Sequence, residues 1–201
     1  MKGIRLSVAA GLVAIFGSGT ASAVKVGDPA PAFSVKDSKG KEHKLSDSGG
    51  KYIVLEWHNQ GCPFVQKHYD TGNMQKLQKE WASKGVVWFT VISSAPGKQG
   101  HVTGPLADAY VDSKKAAPAA VLLDEAGTMG RAYGAKTSPH MIVINPKGLV
   151  IYNGALDDKP TTEKSDVGAA RNYVSAALTE AMAGKPVTTP STVPYGCSVK
   201  Y

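Results

Sequence analysis

The apolar run Tyr52-Ile53-Val54-Leu55, followed directly by Glu56-Trp57-His58-Asn59-Gln60-Gly61-Cys62-Pro63-Phe64-Val65, most constrains what this chain can fold into. A short run of this kind, partly β-branched, reads as a buried strand. Pro63 suits the first position of a helix, because it has no N–H to leave unpaired and its φ is preset. A strand that turns straight into a helix belongs to an α/β layer protein. Cys62 stands at that junction, beside the unpaired N–H groups of the helix start, whose positive partial charge favours thiolate over thiol. The alternative is a small buried core thiol, since free cysteine is among the most buried residue types.

Strands and helices alternate along the rest of the chain. Residues 24–48 read as an extended arm with a hairpin, in which Phe33-Ser34-Val35 turns through Asp37-Ser38-Lys39-Gly40 and returns at His43-Lys44-Leu45. Residues 52–57 form the first core strand. A helix is expected over 63–83, with Thr71-Gly72-Asn73 as a break or kink and Gly85 as a stop. Further strands are expected at 86–92 and 119–123, a loop at 93–103, a short helix at 105–115 and a helical turn at 129–133. Residues 141–144 and 149–152 form a hairpin across Asn145-Pro146-Lys147-Gly148. The last helix is expected over 165–183, with Val167, Ala170, Val174, Ala177, Leu178 and Met182 on its apolar side. From Gly184 the chain is a Thr/Pro-rich tail carrying Cys197, the second of its two cysteines. No internal repeat or second domain is visible.

The first residues speak to compartment. Met1-Lys2-Gly3-Ile4-Arg5 is basic, Leu6–Phe16 is apolar, and Ala21-Ser22-Ala23 offers a small-residue cleavage site, the pattern of a secretory signal peptide over residues 1–23. The apolar stretch falls well short of the roughly 20 residues that span a bilayer, and no later run approaches that length, so no stable membrane insertion is expected. The reading is a periplasmic or secreted protein, in which two cysteines can be oxidised and stay so. Removing 23 of the 201 residues leaves 178, enough for one domain. The formal charge of +7 is mostly lysine spread along the chain, with no basic run and no basic stripe interleaved with aromatics. That distribution argues against nucleic acid as a partner. Arg131 and Arg171 are the only arginines beyond Arg5.

A strand, Cys62-Pro63 at a helix start, Thr137-Ser138-Pro139-His140 before an apolar strand, and a terminal hairpin plus helix together resemble the thioredoxin fold: a central mixed β-sheet flanked by helices, here with an N-terminal extension and a C-terminal tail. The resemblance implies a cis bond at Pro139, lying against the active-site cysteine. Gly27-Asp28-Pro29-Ala30-Pro31, Phe33, Cys62-Pro63-Phe64-Val65, Asp124-Glu125, Tyr133-Gly134-Ala135, Asn145-Pro146-Lys147-Gly148, residues 154–158 and Gly196-Cys197-Ser198-Val199-Lys200 carry it further. They resemble redoxins of the alkyl hydroperoxide reductase/thiol-specific antioxidant branch. The resemblance implies a redoxin domain over 24–183 and a tail over 184–201.

Two departures matter. Members of that subgroup often read Cys-Asn-His-Cys-Pro at the helix entrance, and here the first cysteine position is Asn59. Thioredoxin places its resolving cysteine three residues after the nucleophile, and here that position is Val65. With no local Cys-x-x-Cys couple, the candidate partner is Cys197, 135 residues on. An extended tail, at roughly 3.3 Å per residue, spans tens of ångströms and brings it within range. The expectation is thiol–disulfide exchange with Cys62 as nucleophile, Cys197 as resolving residue and a Cys62–Cys197 disulfide. Asn59, Pro63, Ser138, Pro139 and His140 are its active-site neighbours, and protein or small-molecule thiols and disulfides its partners. No cofactor and no metal are called for.

His58, His68 and His140 are possible neighbours of the thiol. Each also has a plainer role, as a strand end, on an exposed helix face, or packed beside Pro139. Three other functions stay open. Peroxiredoxins place a threonine or serine three residues before the cysteine and a proline seven before it, and use an arginine on the peroxide; here those positions are Asn59 and Leu55. A copper carrier would combine Cys62 and Cys197 with His58 or His140. A non-catalytic protein would use the disulfide as a permanent staple.

Overall fold

The computed structural model describes residues 23–201. All of the proposed signal peptide except Ala23 lies outside the described residues. The chain enters with a hairpin, β1 (Ser34–Lys36) and β2 (Glu42–Lys44), closed by Asp37, whose Oδ1 accepts from the N–H groups of Lys39 and Lys41 at 2.9 Å each. There follow β3 (Ile53–Trp57), α1 (Pro63–Asp70), α2 (Asn73–Ser83), β4 (Val87–Ile92), α3 (Gly104–Lys114), β5 (Ala120–Leu123) and α4 (Thr128–Tyr133). The second half holds β6 (Thr137–Ser138), β7 (His140–Ile144), β8 (Val150–Gly154), α5 (Tyr173–Met182) and β9 (Cys197–Ser198).

The central sheet runs β5-β4-β3-β7-β8. Strands β3, β4 and β5 are parallel, whereas β7 is antiparallel to β3 and β8 to β7, so the sheet is mixed. Every residue of β3 is buried, as a central strand covered on both faces requires. Alternation divides its side chains: Ile53, Leu55 and Trp57 pack with Phe33, Phe89 and Leu122 on one face, and Val54 with Val65, Trp81 and Leu178 on the other. This is a thioredoxin-like fold. Among the described residues no helix is long and apolar enough to cross a membrane.

The expected break inside residues 63–83 is real. Gly72 has φ +73°, a left-handed conformation that glycine adopts without strain, and it separates α1 from α2. The last helix differs from expectation. Residues 164–169 make a separate 3-10 turn, Ala170 is extended, and α5 starts only after Asn172, whose Oδ1 accepts from the Ser175 N–H at 2.8 Å. An asparagine cap satisfies one orphan donor and sets the start of the helix. Val167 and Ala170 therefore lie off the helix, and Met182 is exposed, while Val174, Ala177 and Leu178 face the core.

The tail also departs from expectation. It does not project as a free arm but lies along the body. The Asn153 N–H donates to Pro190 O at 3.1 Å, the Ala155 N–H to Thr192 Oγ1 at 2.9 Å, and the Val199 N–H to Lys136 O at 3.0 Å. At its end the Tyr201 hydroxyl donates to Ala135 O at 2.7 Å, and the ring lies 4.3 Å from the Arg131 guanidinium. Paired backbone groups and half-buried tyrosine rings hold this segment where composition alone reads as a free tail.

Candidate active site

Cys62 caps α1 with extended backbone, φ −83° and ψ 123°, and Pro63 takes the first helical position. Its carbonyl accepts from the Val65 and Gln66 N–H groups, at 3.0 and 2.9 Å, and its own N–H donates to Asn59 O at 3.0 Å. Asn59 builds the turn that presents the thiol. Its Oδ1 accepts from the Gly61 N–H at 2.9 Å, and its Nδ2 donates to Gln99 Oε1 at 2.8 Å. In the position where a first cysteine was expected there is thus a buried amide whose hydrogen bonds are already committed.

The other half of the site comes from a separate two-stranded sheet, β6 paired with β9, that leads into β7. The Ser138–Pro139 peptide is cis, and Ser138 O accepts from the Cys62 Sγ–H at 3.0 Å. Strand β9 pairs antiparallel with β6, Ser138 opposite Cys197 and Thr137 opposite Ser198. That register brings the Cys197 N–H to 3.4 Å from Cys62 Sγ. Gly196 makes the approach possible: at φ +136° a Cβ would stand 2.1 Å from Ser138 O, backbone against backbone. The Cys197 thiol is pushed up to about 11 by burial, by its hydrogen bond with the Cys62 thiol and by charge interaction with it. Cys62 is fully buried, and Cys197 is half-buried above it.

The histidines do not join the thiols. His140 Nδ1 accepts from the Lys136 N–H at 3.1 Å, which leaves Nε2–H to donate to Asn153 Oδ1 at 2.7 Å. Both ring nitrogens are engaged, and burial lowers the pKa of the ring. His58 packs against the rings of Tyr69 and Tyr110, each centroid 5.0 Å away, with Nδ1 3.7 Å from Glu56 Oε1. Among the described residues no three His, Cys, Asp or Glu side chains come close enough to hold a metal ion. His68, expected on an exposed helix face, is fully buried. It accepts at Nδ1 from Asn73 Nδ2 at 2.9 Å, lies 3.8 Å from Asp157 Oδ2 and 3.5 Å from the Tyr195 hydroxyl, and is pushed down to about 4, chiefly by burial. The reversal has a simple cause: the 3-10 turn 164–169 and Tyr195 of the tail pack on the face of α1 that a lone helix would show to water.

Two polar groups near the site escaped the sequence reading. Glu56, in the middle of β3, is fully buried and accepts from Trp88 Nε1 at 2.8 Å, the Tyr69 hydroxyl at 2.7 Å and Gln78 Nε2 at 3.2 Å. A lone carboxylate inside an apolar strand was its signal. Tyr195, two residues before Cys197, donates to Asp157 Oδ1, packs against Phe64 with centroids 5.8 Å apart, and carries Lys67 Nζ 5.4 Å from its ring centroid. Nothing local in the sequence marks that contact, because Asp157 and Tyr195 meet only in the fold.

The Redoxin family model matches residues 25–170. The thioredoxin-like protein YneN of Bacillus subtilis (strain 168) is 27% identical over 146 residues, covering 72% of this chain and 81% of that protein. Among solved structures, a hypothetical protein from Sinorhizobium meliloti 1021 has a TM-score of 0.75 at 20% identity, covering 90% of this chain and 96% of the other. The thioredoxin domain of a thiol-disulfide oxidoreductase from Bacteroides vulgatus has a TM-score of 0.52 at 22% identity, covering 65% and 89%. These similarities support the fold.

Proposed function

This chain belongs to the Redoxin family, and from that premise we propose that it is an exported thiol–disulfide oxidoreductase that works with Cys62 and Cys197. The observation that carries the reading is the β6–β9 pairing, which sets the Cys197 N–H on Cys62 Sγ although 135 residues separate the two. Exchange needs a thiolate, a partner disulfide and a second thiol that releases the mixed disulfide. Cys62 thiolate attacks one sulfur of a partner disulfide, forming a Cys62–partner disulfide and expelling the other partner sulfur as thiolate. Cys197, once deprotonated, attacks Cys62 Sγ, forms the Cys62–Cys197 disulfide and expels the second partner thiolate. Two electrons pass from the cysteine pair to the partner, and the two protons lost by the pair end on the two released thiols. Export rests on the basic and apolar start of the chain and its small-residue cleavage site.

Burial of Cys62 favours a second reading, a permanent staple holding the tail to the body, which constrains the unfolded chain. The redox midpoint of the pair separates the two. Structural disulfides of secreted proteins lie below about −300 mV, exchangeable ones higher. We expect a midpoint above that value, and non-reducing peptide mapping of the oxidised protein to recover a Cys62–Cys197 linkage. A midpoint below it establishes the staple; two free thiols after oxidation exclude both readings.

A further inference from the structure

The tail that delivers Cys197 also closes the site, since Cys62 has no solvent exposure beneath it. A third sulfur cannot line up with Cys62 Sγ while β9 is in place, so exchange with a partner requires the tail to lift. Strand β9 is only two residues long, and its ladder with β6 is correspondingly short. On its C-terminal side the segment is held by the Val199–Lys136 and Tyr201–Ala135 hydrogen bonds, and on its N-terminal side it needs a further hold close to Cys197. Tyr195 is placed to be that hold: its hydroxyl donates to Asp157 Oδ1 and lies 3.5 Å from His68 Nε2, its ring packs on Phe64, and Lys67 Nζ lies 5.4 Å from the ring centroid. Hydrogen bonds to a carboxylate in a poorly hydrated site are stronger than neutral ones.

We propose that Tyr195 is the latch of a C-terminal strap, a positioning residue whose contact with Asp157 holds Cys197 over Cys62 and whose release opens Cys62 to a partner disulfide. The proposal rests on the exchange reading above, and it adds a closed and an open state that share one equilibrium. That equilibrium governs two separate properties. In the closed state Cys62 is shielded from external reagents, and in the same state the two thiols see each other at high effective concentration. Because the closed state dominates, weakening the latch raises the exposure of Cys62 in proportion to the open fraction, while the closed fraction, and with it the effective concentration of the pair, changes little.

The experiment uses the full chain with Cys197→Ser, alone and combined with Tyr195→Phe, which deletes the hydroxyl and keeps the packed ring. The rate of Cys62 alkylation by iodoacetamide is expected to rise about tenfold on adding Tyr195→Phe, equivalent to about 1.4 kcal/mol on the closing equilibrium. In protein with both cysteines, Tyr195→Phe is expected to leave the effective concentration of the pair, measured against glutathione, within about twofold, because the closed state still dominates. An alkylation rate within twofold of the control, or a fall in effective concentration without a gain in alkylation, overturns the latch. A third measurement needs no variant of Tyr195: protection of Cys62 from alkylation in Cys197→Ser protein should match protection of the Val199 amide from hydrogen exchange within about threefold. A Val199 amide that exchanges freely while Cys62 stays protected also overturns the strap. The alkylation and exchange arms involve no disulfide chemistry, so they test the strap even if the redox midpoint establishes a staple.

Discussion

Ser138 and Cys197 lie opposite each other in an antiparallel pair, and the Ser138 carbonyl that flanks this pair is also the acceptor for the Cys62 thiol at 3.0 Å. One residue of β6 therefore positions both sulfurs. The N-terminal half of the chain supplies a thiol at a helix start, and the last few residues supply its partner. What links them is backbone geometry beside Pro139 rather than a local sequence motif.

Gly196 is the residue on which that geometry depends. A Cβ there would lie 2.1 Å from Ser138 O and 2.7 Å from Ser138 C, and neither backbone atom can give way as a flexible side chain would. Gly196→Ala is expected to unseat β9, lowering the effective concentration of the Cys62/Cys197 pair against glutathione by tenfold or more, while urea unfolding of the body shifts by about 1 kcal/mol or less. An unchanged thiol–disulfide equilibrium would show that the tail seats without this close approach.

The strand and helix order was readable because the buried strands are continuous apolar runs and most boundaries carry Gly or Pro signals, as at Pro63, Gly72 and Gly85. The start of α5 was not, because Val167 and Ala170 fit the helical spacing and only the Asn172 cap, satisfied by Ser175, reveals the true start. The resemblance implied Cys62, Cys197, Asn59, Ser138 and Pro139 as neighbours, and the fold brings them together. The packed tail, buried His68 and the Tyr195–Asp157 contact were not legible, since each depends on segments far apart in sequence meeting in space. His140 was expected as a neighbour of the active site, and Asn153 and Lys136 occupy both its nitrogens.

Glu56 should be a large contributor to stability. Replacing it by alanine leaves the buried donors of Trp88, Tyr69 and Gln78 without their acceptor, and each unsatisfied buried group costs about 1–3 kcal/mol. Glu56→Ala is expected to lose about 3 kcal/mol or more in urea unfolding, and Glu56→Gln, which keeps an acceptor oxygen, distinctly less. Equal losses for the two variants would place the stabilisation in packing volume instead of hydrogen bonding.

His68 predicts how stability depends on pH. Its folded pKa, about 4, lies below the unfolded value of 6.5, so the unfolded chain binds a proton in this interval and the folded protein does not. Stability therefore rises with pH across that interval and falls as the solution is acidified from about 6.5 to about 4, by about 3 kcal/mol in all. Buried His140, also shifted downward, acts with the same sign. Urea unfolding at a series of pH values should show the slope in the wild type and a shallower one in His68→Gln. Superimposable profiles would mean that His68 stays as easily protonated in the fold as out of it.

Peroxide is where family and chemistry part. A peroxidase must polarise the O–O bond and hold the leaving oxygen with donors fixed around the transition state, which a helix start does not provide alone. Asn59 stands where a peroxiredoxin places its hydroxyl, and its amide is already spent on Gly61 and Gln99. Arg131 lies over the Tyr201 ring at 4.3 Å and Arg171 lies 5.7 Å from the Tyr173 ring centroid, each engaged away from Cys62. The strap adds a steric barrier, because Cys62 is buried under Cys197. Stopped-flow oxidation of the reduced protein by hydrogen peroxide is expected to be slow beside free cysteine at matched thiolate concentration, and Cys197→Ser with Tyr195→Phe, which opens the site, should remain within about a hundredfold of that reference. Acceleration beyond about a thousandfold, roughly 4 kcal/mol of transition-state stabilisation, would require donors around Cys62 other than those present here and would make peroxide the substrate.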